Sequence, residues 1–283
     1  MEKGIAFGWR GAAAMEELLA LGAQWVREAL TWQQVQPRRD VFDWTYADAL
    51  AGGLRKARSA GCQTLLTVRA LSNWASRPVP GAAATATRPP QKPEQYRALL
   101  EAIVKRYGDL VDVWQIENEA DYPYFWAGTA SDYVGLASVA HEVVPSLCLA
   151  GWSNATADPA THPKMMAFIE SVLHTAPYDM ADAHSYAPVS KMAAQIAWVK
   201  ARMQTGVPLI CTELGWEGTH TEQERAADLT ARFTAAKAAG VSAAFWFLLR
   251  DAQVAGNADE NGLIARDGHR KLSFAAYVAL PKA

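Results

Sequence analysis

The sequence predicts an α/β fold, a single-domain (β/α)8 (TIM) barrel, on three observations. Short apolar runs alternate with amphipathic stretches along the whole chain, which indicates a parallel sheet with crossover helices. About eight such units follow one another, the number that closes a parallel sheet into a barrel. Glycines follow five of the helical stretches and precede strands, as is typical of helix C-termini in these units: Gly22, Gly61, Gly108, Gly206 and Gly240.

The element order follows from hydrophobic periodicity. The predicted strands are Ile5–Trp9, Trp25–Leu30, Thr64–Arg69, Val111–Ile116, Leu147–Trp152, Asp179–Ser185, Pro208–Leu214 and Ala243–Leu248. The clearest helix repeats apolar residues with a helical period at Tyr96, Leu99, Leu100, Ile103, Val104 and Tyr107. The other predicted helices are Ala13–Leu21, Tyr46–Ala60, Asp132–Val144, Met165–His174, Val189–Thr205, Thr221–Ala239 and Phe274–Leu280.

The length supports one domain over residues 1–283. The chain is 51% hydrophobic, and α/β barrels commonly run to about 250 residues as a single domain. A doubly wound open sheet is the rival fold, but the segment after the first strand, Gly8-Trp9-Arg10-Gly11, does not match a phosphate-binding glycine loop. The segment from Leu71 to Pro93 has no period and is rich in Pro, Ala and Thr, so it predicts a long loop over the barrel mouth.

Charge and composition exclude several classes of partner. The net charge is −2 with both signs interspersed, which gives no footprint for nucleic acid or an anionic membrane, and no apolar run is long enough to span a bilayer. Three widely spaced cysteines, Cys62, Cys148 and Cys211, predict buried thiols rather than a metal or redox motif. We expect a monomer. The compartment stays open, with a secreted or periplasmic protein whose leader has been removed favoured over a cytoplasmic one.

Two glutamates stand where barrel enzymes place their chemistry. Glu119 follows the fourth predicted strand and Glu213 ends the seventh, and active sites of such barrels lie at the carboxyl ends of the strands. Two carboxyl groups about 5–5.5 Å apart suit glycoside hydrolysis with retention. We predict that Glu213 is the charged nucleophile, and that Glu119 holds a proton and acts as acid/base.

Other polar residues near the fourth strand need separate interpretations. Strict alternation points Glu117 the same way as Glu119, but we expect it to be turned aside and paired with an arginine such as Arg69. A structural role is expected for Asp121. A metal site built from Glu117, Glu119, Asp121 and His184 is an alternative, but two-carboxylate chemistry explains the cluster better, so we predict no metal and no cofactor.

Several motifs resemble clan A glycoside hydrolases, with family 39-like and family 5-like enzymes nearest. They are Trp25-Val26-Arg27, Pro37 followed by Val41-Phe42-Asp43-Trp44, Arg106-Tyr107-Gly108, Asn118-Glu119, His184-Ser185-Tyr186, Thr212-Glu213 and the strand-eight tryptophan. None is specific alone. The resemblance becomes strong because Asn118-Glu119, His184-Ser185-Tyr186, Thr212-Glu213 and the strand-eight tryptophan follow in this order on separate strands. It covers nearly the whole chain.

The resemblance also implies a role for each matching residue. Arg27 would hold Glu213 ionised, and Asn118 would contact the sugar 2-hydroxyl. Tyr186 would donate to the nucleophile, with His184 lining the same wall. Trp246 would form the hydrophobic floor beneath the attacked sugar.

Aromatic residues after the predicted strands suggest a sugar-lined cleft. The chain has 11 tryptophans, and flat aromatic faces match the C–H groups of a pyranose. Beyond the residues already named, the predicted substrate-binding set comprises Trp32, Asn73, Trp74, Tyr124, Trp126 and Trp216. The run from Tyr122 to Trp126 is expected to bound the leaving-group side.

These features predict a retaining hydrolase of β-glycosidic bonds, with a β-linked oligo- or polysaccharide as partner. Only the family resemblance indicates the β configuration, and the lack of an accessory module favours endo action. Two other classes stay open: a carbohydrate-binding barrel that no longer hydrolyses, and a metal-dependent barrel lyase or isomerase. A transglycosylase would use the same residues.

Overall fold

A computed structural model describes residues 1–7, 14–216, 218, 220–254 and 257–282. Eight parallel strands form one sheet in the order β5-β4-β3-β2-β1-β8-β7-β6. Parallel bridges between Cys148 and Met180 and between Trp152 and Ala183 join β5 to β6 and close the ring. The strands are β1 Glu2–Ala6, β2 Trp25–Thr31, β3 Gln63–Arg69, β4 Val113–Ile116, β5 Leu147–Cys148, β6 Ala181–Asp182, β7 Leu209–Leu214 and β8 Ala243–Phe247. The predicted (β/α)8 barrel is confirmed.

Helices alternate with the strands and surround the barrel. They are α1 Ala14–Leu21, α2 Trp32–Val35, α3 Thr45–Ser59, α4 Pro93–Tyr107, α5 Ala130–His141, α6 Pro163–Thr175, α7 Val189–Lys200, α8 Glu222–Ala238 and α9 Leu272–Ala279. Local sequence fixes their starts: Thr129 and Thr221 form capping boxes at α5 and α8, and proline opens α4 and α6. No helix in the described part of the chain is long and apolar enough to cross a membrane.

The apolar side chains form two layers. One fills the barrel interior and comprises Ala6, Trp25, Leu65, Val113, Cys148, Ile210, Ala243 and Phe245. The larger layer lies between the strands and the helices and includes Val26, Leu66, Trp114, Cys211 and Trp246. Since strand residues alternate between these layers, the phase of each strand decides which side chains reach the mouth.

Two elements were not predicted. The short helix α2 follows β2 directly, and an antiparallel pair, β9 Ala252–Val254 with β10 Asn257–Asp259, follows β8. The long loop expected over residues 71–93 is present between β3 and α4, and one bridge between Ser76 and Pro90 ties it together. The end of the predicted first strand, Gly8-Trp9, lies outside the described residues.

Candidate active site

The end of β4 breaks the alternation of its side chains. Glu117 and Glu119 both have left-handed backbone conformations, with φ of 66° and 44°. Such angles are uncommon for residues other than glycine. Glu117 therefore turns away from the cleft, while Asn118 and Glu119 lie on its wall.

A β-bulge at the end of β7 brings Glu213 into the mouth. The register with β8 shifts between Cys211 and Leu214, where one extra residue is accommodated on β7. Thr212 and Glu213 then both contact residues of the site, although they are consecutive. A bulge reorients a side chain in this way, and it explains why simple alternation could not place Glu213.

Glu213 is held as a carboxylate by two donors. Arg27 Nη1 lies 2.6 Å from Oε1, and the Tyr186 hydroxyl donates to Oε2 at 2.7 Å. Burial alone would raise the pKa of Glu213, but the charges of His184 and Arg27 and the bond from Tyr186 outweigh it and lower the pKa. The ionised state is therefore favoured at this position.

Glu119 has the opposite environment. Burial raises its pKa, and the charge of Glu213 adds to this effect, against the lowering influence of His184. Its Oε1 lies 2.9 Å from Nδ1 of His184. One carboxylate oxygen each of Glu119 and Glu213, together with one His184 nitrogen, lie within 4.8 Å of one another. Two glutamates with opposed pKa shifts thus face each other across the mouth.

Arg27 connects Glu213 to the polar residues of the barrel interior. Its Nε donates to Gln115 Oε1 at 2.9 Å and to Thr67 Oγ1 at 3.2 Å. Its Nη2 donates to Asn118 Oδ1 at 2.7 Å, which directs the Asn118 amide nitrogen away from the arginine. Arg27 is fully buried, and Glu213 balances its charge. The neutral acceptors orient its guanidinium group.

His184 lies between three carboxylates. Burial lowers its pKa, but the charge of Glu213 and the neighbouring carboxylates of Asp182 and Glu119 outweigh this and raise the pKa to about 10. As an imidazolium it donates from Nδ1 to Glu119 and from Nε2 to Thr212 Oγ1 at 3.1 Å. The Thr212 hydroxyl in turn donates to Asp182, which also accepts from Gln115 at 2.6 Å.

Glu117 and Asp121 have structural contacts. Glu117 pairs with Arg69 through Nε at 3.4 Å, as expected, and accepts from the Ala70 amide. Asp121 accepts from the Ser153 amide at 3.0 Å and from its hydroxyl at 2.5 Å, which ties β4 to the loop after β5. Burial raises the pKa of Asp121 to about 7, against these two bonds.

The cleft has two lobes that share Asn118, Phe125, Glu213 and Phe247. The β2–β3 lobe is about 330 Å³ and is also lined by Phe7, Arg27, Ala29, Leu30, Thr31, Gln34, Tyr46, Thr67, Arg69, Leu248 and Ala252. The β4–β6 lobe is about 630 Å³ and is also lined by Glu119, Tyr122, Ser153, Asn154, Ala155, His162, Met165, Tyr186, Trp216 and Asn261. Glu119 thus lines the second lobe, and Glu213 lies where the lobes meet.

Trp246, which was expected to form the floor of the cleft, lies outside the described lining of both lobes, whereas Phe247 lines them. Trp246 has no exposed surface, and its ring centre lies 4.7 Å from that of Trp216. Its Nε1 donates to the Asn261 carbonyl. Phe245 lies inside the barrel, so alternation along β8 points Trp246 outward and Phe247 inward. Phe247 lines both lobes beside Glu213.

The other predicted binding residues divide into two groups. Arg27, Asn118, Tyr186 and Trp216 line the cleft, and fully buried His184 contacts it through Glu119. In contrast, Trp32 and Trp126 are buried in the outer layer, where Trp32 packs on Trp74 and Tyr96 and Trp126 on Tyr133. Asn73, Trp74 and Tyr124 are outside the lining of both lobes as far as the structure describes it.

Sequence reasoning missed several residues of the site. They are Thr67, Gln115, Asp182 and Thr212 below the glutamates, and Phe247, Asn154 and Asn261 on the wall. Gln115 and Asp182 carried a usable signal, because polar residues inside apolar strand runs must find buried partners. The loop residues Asn154 and Asn261 had no such signal in the sequence.

The cluster of Glu119, His184 and Glu213 has the spacing of a metal site. Its donor atoms are already engaged, however. Arg27 and Tyr186 bond the two oxygens of Glu213, and both ring nitrogens of His184 face oxygen atoms. An arginine 2.6 Å from a ligand oxygen opposes a cation there, so the contacts favour acid/base chemistry.

The barrel resembles the fold of several solved glycoside hydrolases. Similar solved structures include a family 39 glycoside hydrolase from Bacteroides cellulosilyticus WH2, with 17% identity and a TM-score of 0.69 over 98% of this chain and 63% of that one. A psychrophilic family 10 endo-β-1,4-xylanase has 17% identity and a TM-score of 0.70 over 99% and 97%. A family 128 endo-β-1,3-glucanase mutant from Amycolatopsis mediterranei, in complex with laminarihexaose, has 13% identity and a TM-score of 0.63 over 99% of both chains.

At these identities the likeness is one of fold. The chain spans less than two thirds of the length of the family 39 structure. No protein-family model matches the sequence, and no curated protein matches it.

Proposed function

We propose that this protein is a retaining glycoside hydrolase that cleaves β-glycosidic bonds within an oligo- or polysaccharide. The observation that carries the proposal is the pair Glu119 and Glu213, with oxygens within 4.8 Å and opposed pKa shifts. Retaining enzymes place their two carboxyl groups about 5–5.5 Å apart, whereas inverting enzymes leave room for a water between them.

In the first step Glu213 attacks the anomeric carbon while Glu119 protonates the leaving oxygen. Since His184 donates to Oε1 of Glu119, the transferable proton resides on Oε2. The new C–O bond forms on Glu213, and the glycosidic C–O bond breaks with its electron pair moving to the protonated oxygen. Arg27 and Tyr186 keep the attacking carboxylate ionised until then.

In the second step Glu119 acts as a base toward water. Glu119 lost its proton in the first step, so it can take one from a water that attacks the anomeric carbon. The C–O bond to Glu213 then breaks, and its electron pair restores the Glu213 carboxylate. The product then leaves with the starting anomeric configuration. Asn118, held by Arg27, is placed to donate to a sugar hydroxyl, and Phe247 offers an apolar face beneath the ring.

The cleft shape supports endo action. Glu119 lines only the β4–β6 lobe of the two, which makes that lobe the leaving-group side. The β2–β3 lobe continues on the other side of Glu213 and can take further sugars of the glycone. A chain can therefore extend both ways from the cleaved bond. The xylanase and glucanase of similar fold are named as endo enzymes on β-linked chains.

A screen over β-linked polysaccharides and aryl β-glycosides, with product analysis by NMR, tests the proposal. Retained configuration in the first product is expected, and an inverted first product would contradict it. Chelator should leave activity unchanged, which separates this function from a metal-dependent lyase or isomerase.

Glu213→Gln should abolish turnover, and azide should restore part of the activity in Glu213→Ala with formation of the inverted glycosyl azide. The reason is that azide can occupy the space of the missing carboxylate and attack the same carbon. Kinetics with an activated aryl glycoside and identification of the azide product check this. A Glu213→Gln variant with wild-type turnover would end the assignment of the nucleophile.

Glu119→Ala should slow poor leaving groups by about 100-fold or more, and affect activated aryl glycosides far less in the bond-breaking step. Activated leaving groups need little protonation. Measurement of kcat/KM across aryl glycosides of graded leaving-group pKa provides the test. Equal losses across the series would contradict the acid role.

A further inference from the structure

The two lobes of the cleft carry different charge. Arg27 and Arg69 line the β2–β3 lobe, where Glu213 is the sole acidic residue among the lining residues that the structure describes. The β4–β6 lobe is lined by Glu119 and Glu213 and by no lysine or arginine among its described lining residues. Because Arg27 is paired with Glu213 at 2.6 Å, the excess positive charge of the β2–β3 lobe belongs to Arg69.

Hydrogen bonds hold the Arg69 guanidinium in place and leave its Nη1 group able to donate into the cleft. Its Nη2 donates to Thr87 Oγ1 at 3.0 Å and to the carbonyls of Phe125 at 3.2 Å and Thr85 at 3.3 Å. The guanidinium carbon lies 5.5 Å from the centre of the Phe125 ring. Within the described residues, Nη1 makes no hydrogen bond. A guanidinium held this way is preorganised to bind an anion.

The counter-charge of Arg69 lies behind it. Glu117 has no exposed surface, and it meets Arg69 only through Nε at 3.4 Å. Its other oxygen is held by the Ala70 amide at 2.5 Å. Burial also raises the pKa of Glu117, although the charge of Arg69 opposes this effect. The positive end of the ion pair faces the cleft, and the negative end is withdrawn from it.

We propose that the β2–β3 lobe binds an acidic sugar, with the carboxylate of a hexuronosyl residue on Arg69. This rests on the proposed hydrolase function and specifies its substrate class. Arginine matches a carboxylate in geometry and charge, and a partly buried, oriented guanidinium gives more discrimination than a surface lysine. The acidic sugar belongs to the glycone side, since the leaving group occupies the lobe lined by Glu119.

Matched substrates that differ only at C6 test this inference. Oligosaccharides of β-1,4-glucan, β-1,3-glucan and β-1,4-mannan are compared with the same oligosaccharides after oxidation of C6 from hydroxymethyl to carboxylate. The wild type should show kcat/KM about tenfold to a hundredfold higher for the oxidised member of at least one pair, the range expected for a charge-assisted hydrogen bond. That preference should shrink as salt is raised.

Two variants assign the preference to Arg69. The double variant Arg69→Gln/Glu117→Gln removes both charges, so no buried carboxylate is left unpaired, and it should lose the preference. The control Glu117→Gln keeps Arg69 and should retain or increase the preference. Binding of each pair to a Glu119→Gln variant, measured by calorimetry, gives a readout that does not need turnover.

Each outcome decides the inference. Equal or faster hydrolysis of the neutral member overturns it and leaves the proposed hydrolase function standing. A preference for the oxidised member that persists in the double variant also overturns the inference, and so does a preference that high salt does not change. Failure to bind or cleave any member of the three pairs also overturns it, and the general screen of β-glycosides then decides the proposed function separately.

Discussion

Glu119 and Glu213 have the same side chain, and their neighbours decide which one holds the proton. Glu213 accepts from Arg27 and Tyr186, which stabilise the carboxylate. Burial disfavours the charge of Glu119, and the charge of Glu213 repels a second negative charge, against the opposing effect of His184 and Arg27. Environment thus separates two roles that the residue type leaves identical.

The pH dependence of kcat/KM follows from these shifts. The proposed mechanism requires an ionised Glu213 and a protonated Glu119. It should therefore fall as pH drops through the lowered pKa of Glu213, and fall again as pH rises through the raised pKa of Glu119. The two limbs belong to the coupled pair.

His184→Asn should move both limbs of this profile to higher pH. The His184 cation lowers the pKa of each glutamate, so its removal raises both. We also expect kcat to fall about tenfold or more, since an oriented donor to Glu119 is lost. Full pH profiles of kcat/KM for variant and wild type supply the check. Limbs that stay in place or move to lower pH would show that His184 is not charged.

At the scale of strands and helices, the sequence predicts most of the architecture. All eight barrel strands lie within or close to predicted runs, because apolar runs bounded by helix-ending glycines leave few alternatives. The sequence does not predict which side chains of a strand point into the barrel and which point outward. In β8 both faces are buried, so Phe245, Trp246 and Phe247 give no polar signal to tell inside from outside. For that reason Trp246 was placed in the cleft and Phe247 was missed.

Backbone irregularities limited the prediction of the site in the same way. Glu117 leaves the cleft because of a left-handed backbone, and Glu213 enters it because of a bulge. Neither feature has a marker in the sequence, since no glycine stands at either position. The position of the two glutamates at the barrel mouth could be predicted, but the contacts that shift their pKa values could not.

Close packing at strand ends gives an element-scale prediction. A Cβ on Gly151, after β5, would lie 1.9 Å from Nε2 of His184. Gly151→Ala should therefore displace His184 and lower kcat/KM by about 100-fold, the scale of a misplacement near 1 Å. Steady-state kinetics, at a temperature where circular dichroism shows the variant folded, provide the measurement.

The matched control is Gly135→Ala in α5, where a Cβ would meet nothing within 4 Å. This change should leave kcat/KM unaltered and stabilise the protein by about 0.5–1 kcal/mol, because alanine favours helix. A Gly151→Ala variant as active as Gly135→Ala would mean that His184 can shift without consequence.

At the scale of the whole molecule, the two ends of the barrel differ: one carries the candidate site, and the other joins the first strand to the last helix. The carboxyl ends of the strands carry Arg27, Glu119 and Glu213, with several buried polar groups and unusual backbone angles. The opposite end joins the first strand to the last helix through Lys3. This division lets stability and chemistry be changed independently, as in other barrels of this type.

Lys3 is 2% exposed and donates to the carbonyls of Tyr277, Val278 and Leu280 at 3.0, 3.3 and 3.1 Å. These carbonyls end α9, where a cation satisfies unpaired acceptors and the helix dipole. Lys3→Met keeps most of the volume but removes the donor, so the free energy of unfolding should fall by about 1–3 kcal/mol. Activity should stay within about twofold, since Lys3 lies at the end of β1 remote from the catalytic glutamates.

Urea unfolding and kcat/KM of the same preparations measure both effects. The exposed Lys237, in the neighbouring helix α8, provides the control, and Lys237→Met should change stability by less than about 0.5 kcal/mol. Equal stability of the two variants would mean that the bonds from Lys3 add nothing to the closure of the barrel. A large loss of activity in Lys3→Met at full stability would instead show that the two ends are coupled.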